Sequence, residues 1–240
     1  LVWFHGSSVG EILSIIPLIE ELEKNKKIKQ ILLTSNTLSS SKVISRLKLN
    51  KTIHQFFPID SGLIVKKFLK YWNPKIAIFV ESEIWPNMIL EIKNQRLPLV
   101  LLNARITKKS FNRWKKIEKF SKLLFNKFDL CLVQNNETKA FLKNLGSRNI
   151  KKIGNLKICE TKNNLDNQLN LSQKKFFKSK KILLCGVSTH IPEEQFCAEV
   201  YENLRKNNKE ILILIPRHIH RAEQITKELE LKNLIVHKHS

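Results

Sequence analysis

Glu11 closes the stretch His5-Gly6-Ser7-Ser8-Val9-Gly10-Glu11, a glycine-containing turn between an expected strand and an expected helix. A helix N-terminus favours the ionised form of an acid in its first turn. Glu11 is therefore expected to be a carboxylate at neutral pH, able to accept a proton from a bound hydroxyl. An ordinary helix-start acid has the same spacing. Gly6 and Gly10 allow tight backbone approach. The stretch is not GxGxxG, and no Gly-Lys-Ser/Thr follows it, so neither phosphate-loop pattern applies.

A second acidic stretch, Glu81-Ser82-Glu83-Ile84-Trp85-Pro86-Asn87, follows the apolar run Ile76-Ala77-Ile78-Phe79-Val80. The run reads as a buried strand and Trp-Pro as a helix start. A solvated loop does not need a tryptophan, and a core strand does not need two acids. Open parallel sheets put ligands at the carboxyl ends of their strands, which is where Glu81 and Glu83 stand. Farther on come Gly186-Val187-Ser188-Thr189-His190, then Glu193-Glu194, and Pro216-Arg217-His218. Amides at a helix start with the Ser188 and Thr189 hydroxyls can hold a phosphate. Arg217 could pair with a phosphate or a carboxylate. Gly154-Asn155-Leu156-Lys157 lies at a junction and could reach a ligand there.

These stretches are spaced by alternating strand-like and helix-like segments. Strands are expected at Leu1–Phe4, Ile31–Thr34, Ile53–Phe57, Lys75–Val80, Leu99–Leu102, Leu130–Val133 and Ile150–Ile153. Helices are expected at Gly10–Glu23, Ser39–Leu49, Leu63–Trp72, Ile84–Asn94, a long one near Ser110–Phe128, and Glu137–Leu145 with Gly146 as its cap. Glu160–Ser179, rich in Asn, Gln, Lys and Ser, reads as a linker and an irregular helix. The alternation then restarts: strand Ile182–Cys185, helix Glu193–Asn207, strand Ile211–Ile215, helix Ala222–Leu231, strand Leu234–Val236.

The fold class is therefore α/β, with parallel sheets covered on both faces. Two domains are expected, residues 1–158 and 159–240. The second has too few strands for a stable doubly wound sheet. The chain is thus expected to be cut short at its C-terminal end, and also before Leu1, where it begins inside a strand without Met. In such a sheet Ser35, Asn36, Asp60, Asn103, Arg105 and Gln134 emerge on the same edge as Glu11, Glu81 and Glu83, so one crevice collects acids, amides, hydroxyls and an arginine. Turns and caps use some of these types anyway. They do not account for Glu-Ser-Glu before Trp-Pro, or for Arg105.

Over 240 residues, 43 Lys+Arg stand against 21 Asp+Glu, a formal net charge of +22. Such a field attracts polyanions: nucleic acid, anionic lipid headgroups or phosphorylated substrates. Lysine abundance throughout the chain would raise the charge equally, and no basic tract interleaved with aromatics marks a nucleic-acid surface. The cysteines Cys131, Cys159, Cys185 and Cys197 form no CxxC pair and have no His at metal-ligand spacing, so no metal site is expected. Cys131 and Cys185 fall in apolar runs, where a thiol acts as a small hydrophobe. A reducing compartment fits. No signal peptide or membrane-spanning run is present.

In this order the motifs resemble those of the 3-deoxy-D-manno-octulosonic acid (Kdo) transferases of lipopolysaccharide synthesis. The matching stretches are His5–Glu11, Pro58–Asp60, Glu81–Asn87, Asn103–Ser110, Gly154–Lys157, Ser188–His190 and Pro216–His218, spread over nearly the whole chain. The resemblance implies two Rossmann-like domains of glycosyltransferase B type, the second incomplete here. It implies an inverting, metal-free transfer of Kdo from CMP-Kdo to a hydroxyl of a lipid A precursor, with no cofactor. Glu11 would be the general base. Ser8, Gly10, Asp60, Glu81, Glu83, Asn103 and Arg105 would bind or support the acceptor. Gly154, Asn155, Lys157, Ser188, Thr189, His190, Glu194, Arg217 and His218 would hold the donor.

The partners implied are CMP-Kdo, the lipid A precursor and an anionic membrane surface, with no nucleic acid. The location implied is the cytoplasmic face of the bacterial inner membrane, peripheral or through an anchor before Leu1. Two stretches depart from the pattern. Ile191-Pro192-Glu193-Glu194 stands where the family usually has an acidic-Gly pair before the Glu, and Ile219-His220-Arg221 where it has Pro-Glu-Arg. Its later glycine-rich and Asn-Glu-Pro motifs are expected beyond Ser240. Other readings stay open: a related enzyme with another nucleotide-sugar, a non-enzymatic polyanion-binding domain, and an inactive or split fragment.

Overall fold

The computed structural model describes residues 1–157, 171–179, 182–205 and 210–238. The chain divides into two compact units, Leu1–Asn163 and Asn164–Ser240. The boundary expected after residue 158, Cys159 and the first part of the expected linker lie outside the described residues.

In the first unit the alternation of the sequence becomes β1 (Val2–His5), α1 (Val9–Lys24), β2 (Ile31–Ser35), α2 (Leu38–Ile44), β3 (Thr52–Phe56), α3 (Gly62–Trp72), β4 (Ile76–Val80), α4 (Pro86–Asn94) and β5 (Leu99–Ala104). Then come α5 (Lys108–Lys115), α6 (Glu118–Phe125), β6 (Leu130–Val133), α7 (Asn136–Asn144) and β7 (Ile150–Lys152). The strands form one parallel sheet in the order β3-β2-β1-β4-β5-β6-β7. The chain builds outward from β1 to β3, then crosses back to place β4 on the other side of β1. That reversal opens a crevice at the carboxyl ends of β1 and β4.

Successive strand residues point to opposite faces. Trp3, Leu32, Phe79 and Leu101 pack on one face, with α3, α4 and α6. Phe4, Ile31, Leu33 and Val80 pack on the other, against Ile12, Ile15, Ile16 and Ile19 of α1. Burial on both faces is why these strands read as continuous apolar runs.

Two expected helices are shorter than their patterns. The second ends at Ile44, not Leu49. The long stretch near Ser110–Phe128 is two helices, α5 and α6, broken where Ile117 leaves helical geometry at φ −116°, ψ 51°. At the break the Trp114 carbonyl accepts from the Ile117 N–H at 3.1 Å and from the Ser121 hydroxyl at 2.6 Å, and that hydroxyl also lies 3.1 Å from the Ile117 carbonyl, so a side chain caps the end of α5. After α7, Gly146 takes φ +107°. Its N–H donates to the Lys143 carbonyl and that of Ser147 to the Leu142 carbonyl, a paired closure that a left-handed glycine permits.

The second unit contains α8 (Leu171–Lys178), β8 (Ile182–Thr189), α9 (Glu193–Leu204), β9 (Glu210–Pro216), a 3-10 turn (Ile219–Arg221) and α10 (Ala222–Glu230). β8 and β9 pair in parallel. The strand expected at Leu234–Val236 does not form. Leu234 folds back instead, donating its N–H to the Leu229 carbonyl and packing with Ala198, Ile225 and Leu229. Cys185 also departs from expectation: it is exposed on β8, not packed as a core hydrophobe. A side chain at Gly186 would come within 3.0 Å of Leu214 and Cys197, so α9 sits on β8 through that glycine.

Candidate active site

Ser8 caps α1 in a reciprocal box. The Glu11 N–H donates to Ser8 Oγ, and Glu11 Oε2 accepts from the N–H groups of Ser7 at 2.6 Å and Ser8 at 3.4 Å. The carboxylate is thereby turned back over the loop after β1, at the crevice. Burial raises its pKa most, and the charges of Glu83 and Glu81 raise it further; the Ser7 and Ser8 hydrogen bonds only partly oppose this. The net direction is opposite to the one expected from the helix N-terminus alone. The loop is buttressed by its neighbour after β2, where Asn36 Nδ2 donates to Ser7 Oγ and Ser40 Oγ to the Ser7 carbonyl. Gly6 is the tight position, since a Cβ there would stand 3.3 Å from Glu11 and Ile12. The tight approach expected at Gly10 is absent: a Cβ there would make ordinary contact with Lys157 at 3.6 Å.

Glu81 and Asn103 end their strands in the left-handed region, at φ +57° and +54°. Neither is glycine, so both positions carry backbone strain that the surrounding structure must hold. The Glu81 N–H donates to the Leu102 carbonyl, and its own carbonyl accepts from Arg105 N–H at 3.3 Å. Asn103 is fully buried. Its Oδ1 accepts from Leu156 N–H at 3.0 Å and its carbonyl from Gln134 Nε2 at 2.9 Å, while Nδ2 has no partner among the described residues. Asn103 thereby ties the Gly154–Lys157 turn to the edge of this sheet. Gly154 has φ +88°, and Asn155 Oδ1 accepts from Lys157 N–H. Lys157 Nζ lies 2.6 Å from Glu81 Oε1, as an ion pair outside hydrogen-bond geometry. The turn expected to reach a donor thus puts its lysine beside Glu81 and Gly10.

Glu83 Oε2 accepts from Trp85 Nε1 at 2.7 Å and lies 3.0 Å from His5 Nε2. His5 and Trp85 were not singled out as site residues from the sequence. Their signal is a histidine at a strand end and an indole two residues after an acid. Asp60 supplies a helix cap. Its Oδ1 and Oδ2 accept from the N–H groups of Met88 and Asn87 at the start of α4, and its carbonyl accepts from Asn87 Nδ2. Arg105 is exposed at the same edge with no ion pair to another described residue.

In the second unit Ser188 takes φ +62°, and Arg217 Nη1 lies 3.4 Å from its hydroxyl. The Arg217 N–H donates to the Thr189 carbonyl. The rings of His190 and His218 stand 5.8 Å apart, and those of His218 and His220 are stacked at 5.5 Å. Thr189 is buried, with its hydroxyl close to the Glu194 carboxylate. The start of α9 is not the open phosphate cradle expected. Pro192 offers no N–H, and Glu193 Oε2 accepts the His190 N–H at 2.7 Å. Glu194 faces inward and pairs both oxygens with Arg221, at 3.0 and 3.3 Å. Burial, the largest single influence, would raise its pKa, but the hydrogen bonds from Arg221, Thr189 and the backbone and the Arg221 charge together hold the carboxyl below its usual range. The groups that could meet an anion in this unit are therefore the Arg217 guanidinium and the imidazoles of His218 and His220 after β9. No group of His, Cys, Asp and Glu among the described residues is arranged to hold a metal. The Cys131 thiol is pushed up by burial to about 11 and is inert at neutral pH.

Residues 1–159 match the family model described as 3-deoxy-D-manno-octulosonic-acid transferase (kdotransferase). A 3-deoxy-D-manno-octulosonic acid transferase of Rickettsia prowazekii is 35% identical over 235 residues, 98% of this chain and 50% of that protein. A probable mitochondrial 3-deoxy-D-manno-octulosonic acid transferase of Arabidopsis thaliana is 32% identical over 236 residues, 95% of this chain and 53% of that protein. The chain spans about half the length of the curated relatives it matches. Among solved structures, UDP-GlcNAc 2-epimerase from Neisseria meningitidis bound to UDP-GlcNAc superposes with a TM-score of 0.66 at 15% identity. It covers 100% of this chain and 72% of its own. The S. aureus MnaA-UDP co-structure gives 0.66 at 14%, over 95% of this chain and 64% of its own. At such identities the likeness is one of fold, the glycosyltransferase B type expected from the sequence.

Proposed function

Because this chain belongs to the 3-deoxy-D-manno-octulosonic-acid transferase family, we propose that it serves the inverting transfer of Kdo from CMP-Kdo to a hydroxyl of a lipid A precursor. Residues 1–158 would be the acceptor domain and 159–240 part of the donor domain. The observation that carries this reading is Glu11. Its carboxyl stands at the topological switch point, held on one oxygen by Ser7 and Ser8 N–H, with its proton affinity raised by burial, Glu83 and Glu81. A base works best when its pKa approaches the operating pH, and this environment moves Glu11 in that direction.

In the step proposed, Glu11 takes the proton of the acceptor hydroxyl. The freed oxygen pair attacks the anomeric carbon of Kdo from the face opposite the phosphate. The bond from that carbon to the phosphate oxygen breaks, and its electron pair leaves with CMP. Ser188, Arg217 and His218 of the second unit would receive that phosphate, and Thr189 and His190 lie beside them at the strand end. Near the base, Glu81, Glu83 and Arg105 offer hydrogen-bonding groups to a sugar, and Lys157 offsets the charge of Glu81. Asp60 and Asn103 support the site from behind, through α4 and the Gly154–Lys157 turn.

A lipid acceptor at an anionic surface fits the +22 charge. Leu38, Ile59 and Leu63, each more than 70% exposed, lie just beyond the carboxyl ends of β2 and β3, and Lys66 and Lys67 follow Leu63 by a few residues. The location proposed is the cytoplasmic face of the inner membrane. Among the described residues no helix is long and apolar enough to cross a membrane.

The test is Glu11→Gln in the full-length protein. Loss of general-base catalysis is worth about 10²–10⁴-fold, so transfer from CMP-Kdo is expected to collapse while CMP-Kdo binding stays close to wild type. Turnover near normal would refute the base. Turnover with UDP- or GDP-sugars in place of CMP-Kdo would refute the donor.

A further inference from the structure

His5 is fully buried beneath the crevice, and nothing in the reaction above uses it. Its ring is sandwiched by aromatic side chains. Phe57 stacks on it at 3.8 Å between centroids, Phe79 meets it edge-on at 5.4 Å, and Trp85 lies at 6.3 Å. The ring plane is thus fixed by packing, and both nitrogens have one direction each. Nδ1 faces Thr34, 3.1 Å from Oγ1 and 3.2 Å from the carbonyl. Thr34 Oγ1 is itself oriented, accepting from Trp3 Nε1 at 3.0 Å and lying 3.2 Å from the Phe4 carbonyl. Nε2 faces Glu83 Oε2. An ionised carboxylate only accepts, so Nε2 carries the proton in this contact, whichever state Nδ1 takes.

Glu83 Oε2 therefore has two donors, His5 Nε2 and Trp85 Nε1. Oε1 has none among the described residues, and the side chain keeps 12% of its surface exposed at the crevice. A polar ring buried among three aromatics is expensive to keep, and an apolar residue there would pack with less penalty. The arrangement is informative because it fixes one oxygen of a crevice carboxylate and leaves the other open.

We propose that His5 is a positioning residue. With Trp85 it clamps Glu83 by Oε2, so that Oε1 is presented to a hydroxyl of the acceptor sugar next to Glu11. The chain of support runs from Trp3 and Thr34 in the core, through His5, to Glu83. The proposal rests on the glycosyl-transfer reading for the identity of the acceptor. The clamp itself does not.

The two amide replacements of histidine separate positioning from packing. A Gln amide nitrogen reaches roughly where Nε2 stood, and an Asn amide reaches only the Nδ1 position. His5→Gln should keep the Glu83 contact and His5→Asn should lose it, although both leave similar space in the aromatic cage. A lost hydrogen bond to a charged group corresponds to roughly a 10- to 100-fold effect. His5→Asn should therefore raise the acceptor KM by about that factor, with the CMP-Kdo KM unchanged. Glu83→Gln should raise it similarly, and His5→Gln should restore most of the loss.

Independently of activity, ¹⁵N-edited NMR of the wild-type protein should show a His5 Nε2–H protected from solvent, with a resonance that shifts in Glu83→Gln. An unprotected Nε2–H, or equal acceptor KM in His5→Asn and His5→Gln, overturns the clamp. Equal falls in thermal stability with unchanged KM would assign His5 to packing alone. A wild-type protein that transfers no Kdo would sink the reaction reading, and the NMR result would then decide the clamp.

Discussion

The acids of the two units are held in opposite ways. In the first unit the carboxylates at the crevice are held from behind by hydrogen-bond donors: Ser7 and Ser8 N–H for Glu11, Trp85 and His5 for Glu83. One surface lysine balances Glu81. In the second unit the buried acid, Glu194, faces inward. It is neutralised by Arg221, whose side chain is 11% exposed, and the groups suited to an anion lie on the exposed end of a two-stranded ribbon. The first arrangement leaves the half-buried Glu11 carboxyl without a cationic partner among the described residues, where a substrate would meet it. The second spends its charge on holding elements together: α9, through Glu194, to the turn before α10, through Arg221. Uncompensated burial marks function, and compensated burial marks architecture.

The largest effect that would sharpen this contrast is expected at Arg221. Arg221→Met leaves Glu194 buried without its partner, and breaking a buried pair from one side costs about 3–5 kcal/mol. The apolar core of this unit is small, with Ile225, Leu229 and Leu234 as its buried large side chains among the described residues. A loss of that size should therefore unfold α9 and α10 together. Hydrogen exchange over residues 193–230 would read it, while β1 to β7 stay protected. The double variant Glu194→Leu with Arg221→Met should recover much of the loss. Unchanged protection in the single variant would mean that the ion pair is not what joins these elements.

An intermediate effect is expected at Asp60. Both its oxygens cap the first turn of α4, and losing such a cap costs about 0.5–2 kcal/mol. Asp60→Ala should lower the unfolding free energy of the first unit by that amount, read as a fall in its urea midpoint, and leave acceptor affinity within a few-fold of wild type. Intact stability with acceptor binding lost would move Asp60 from the supports to the ligand contacts.

Much of this was legible before any coordinates. The apolar runs fixed the strands because parallel strands buried on both faces have little else to show. The acids after β4 stood out because burial of that strand makes Glu81 and Glu83 anomalous. Partnership across the sheet was not legible. His5 meets Glu83 only because β4 lies beside β1, and Asp60 meets Met88 only because the turns leading into α3 and α4 approach each other. Both pairs depend on strand order, which hydrophobic period does not encode. Asn103 reaching Leu156 spans 53 residues and depends on a left-handed strand end no residue type announces. The break at Ile117 was hidden because both halves keep helical periodicity, and its only sign is a serine four residues later. The strand expected at Leu234–Val236 failed because three apolar residues satisfy a helix surface as well as a sheet.

The smallest effect, at Glu11, is the most diagnostic, because its sign is opposite to that at the buried acid of the second unit. The folded-state pKa of Glu11 is raised, so the folded protein binds that proton more tightly than the unfolded chain. Its contribution is favourable below the ordinary carboxylate range and is lost as pH rises through the unfolded and then the folded value. Glu11→Gln, which cannot ionise, should therefore melt slightly higher than wild type near neutral pH, and the gap should close as pH falls to about 4. Glu194 is shifted the other way. Its contribution is present above the ordinary range and is lost as pH falls through its depressed folded value. Glu194→Gln should therefore be most destabilising near neutral pH and progressively less so in acid. Acidification thus narrows both gaps from opposite sides, one from a gain and one from a loss. Hydrogen exchange resolved by unit separates the two curves. A Glu11→Gln protein less stable than wild type at neutral pH would mean that the Ser7 and Ser8 hydrogen bonds outweigh burial and the two neighbouring charges. Glu11 would then belong with Glu194, as a carboxylate held for structure.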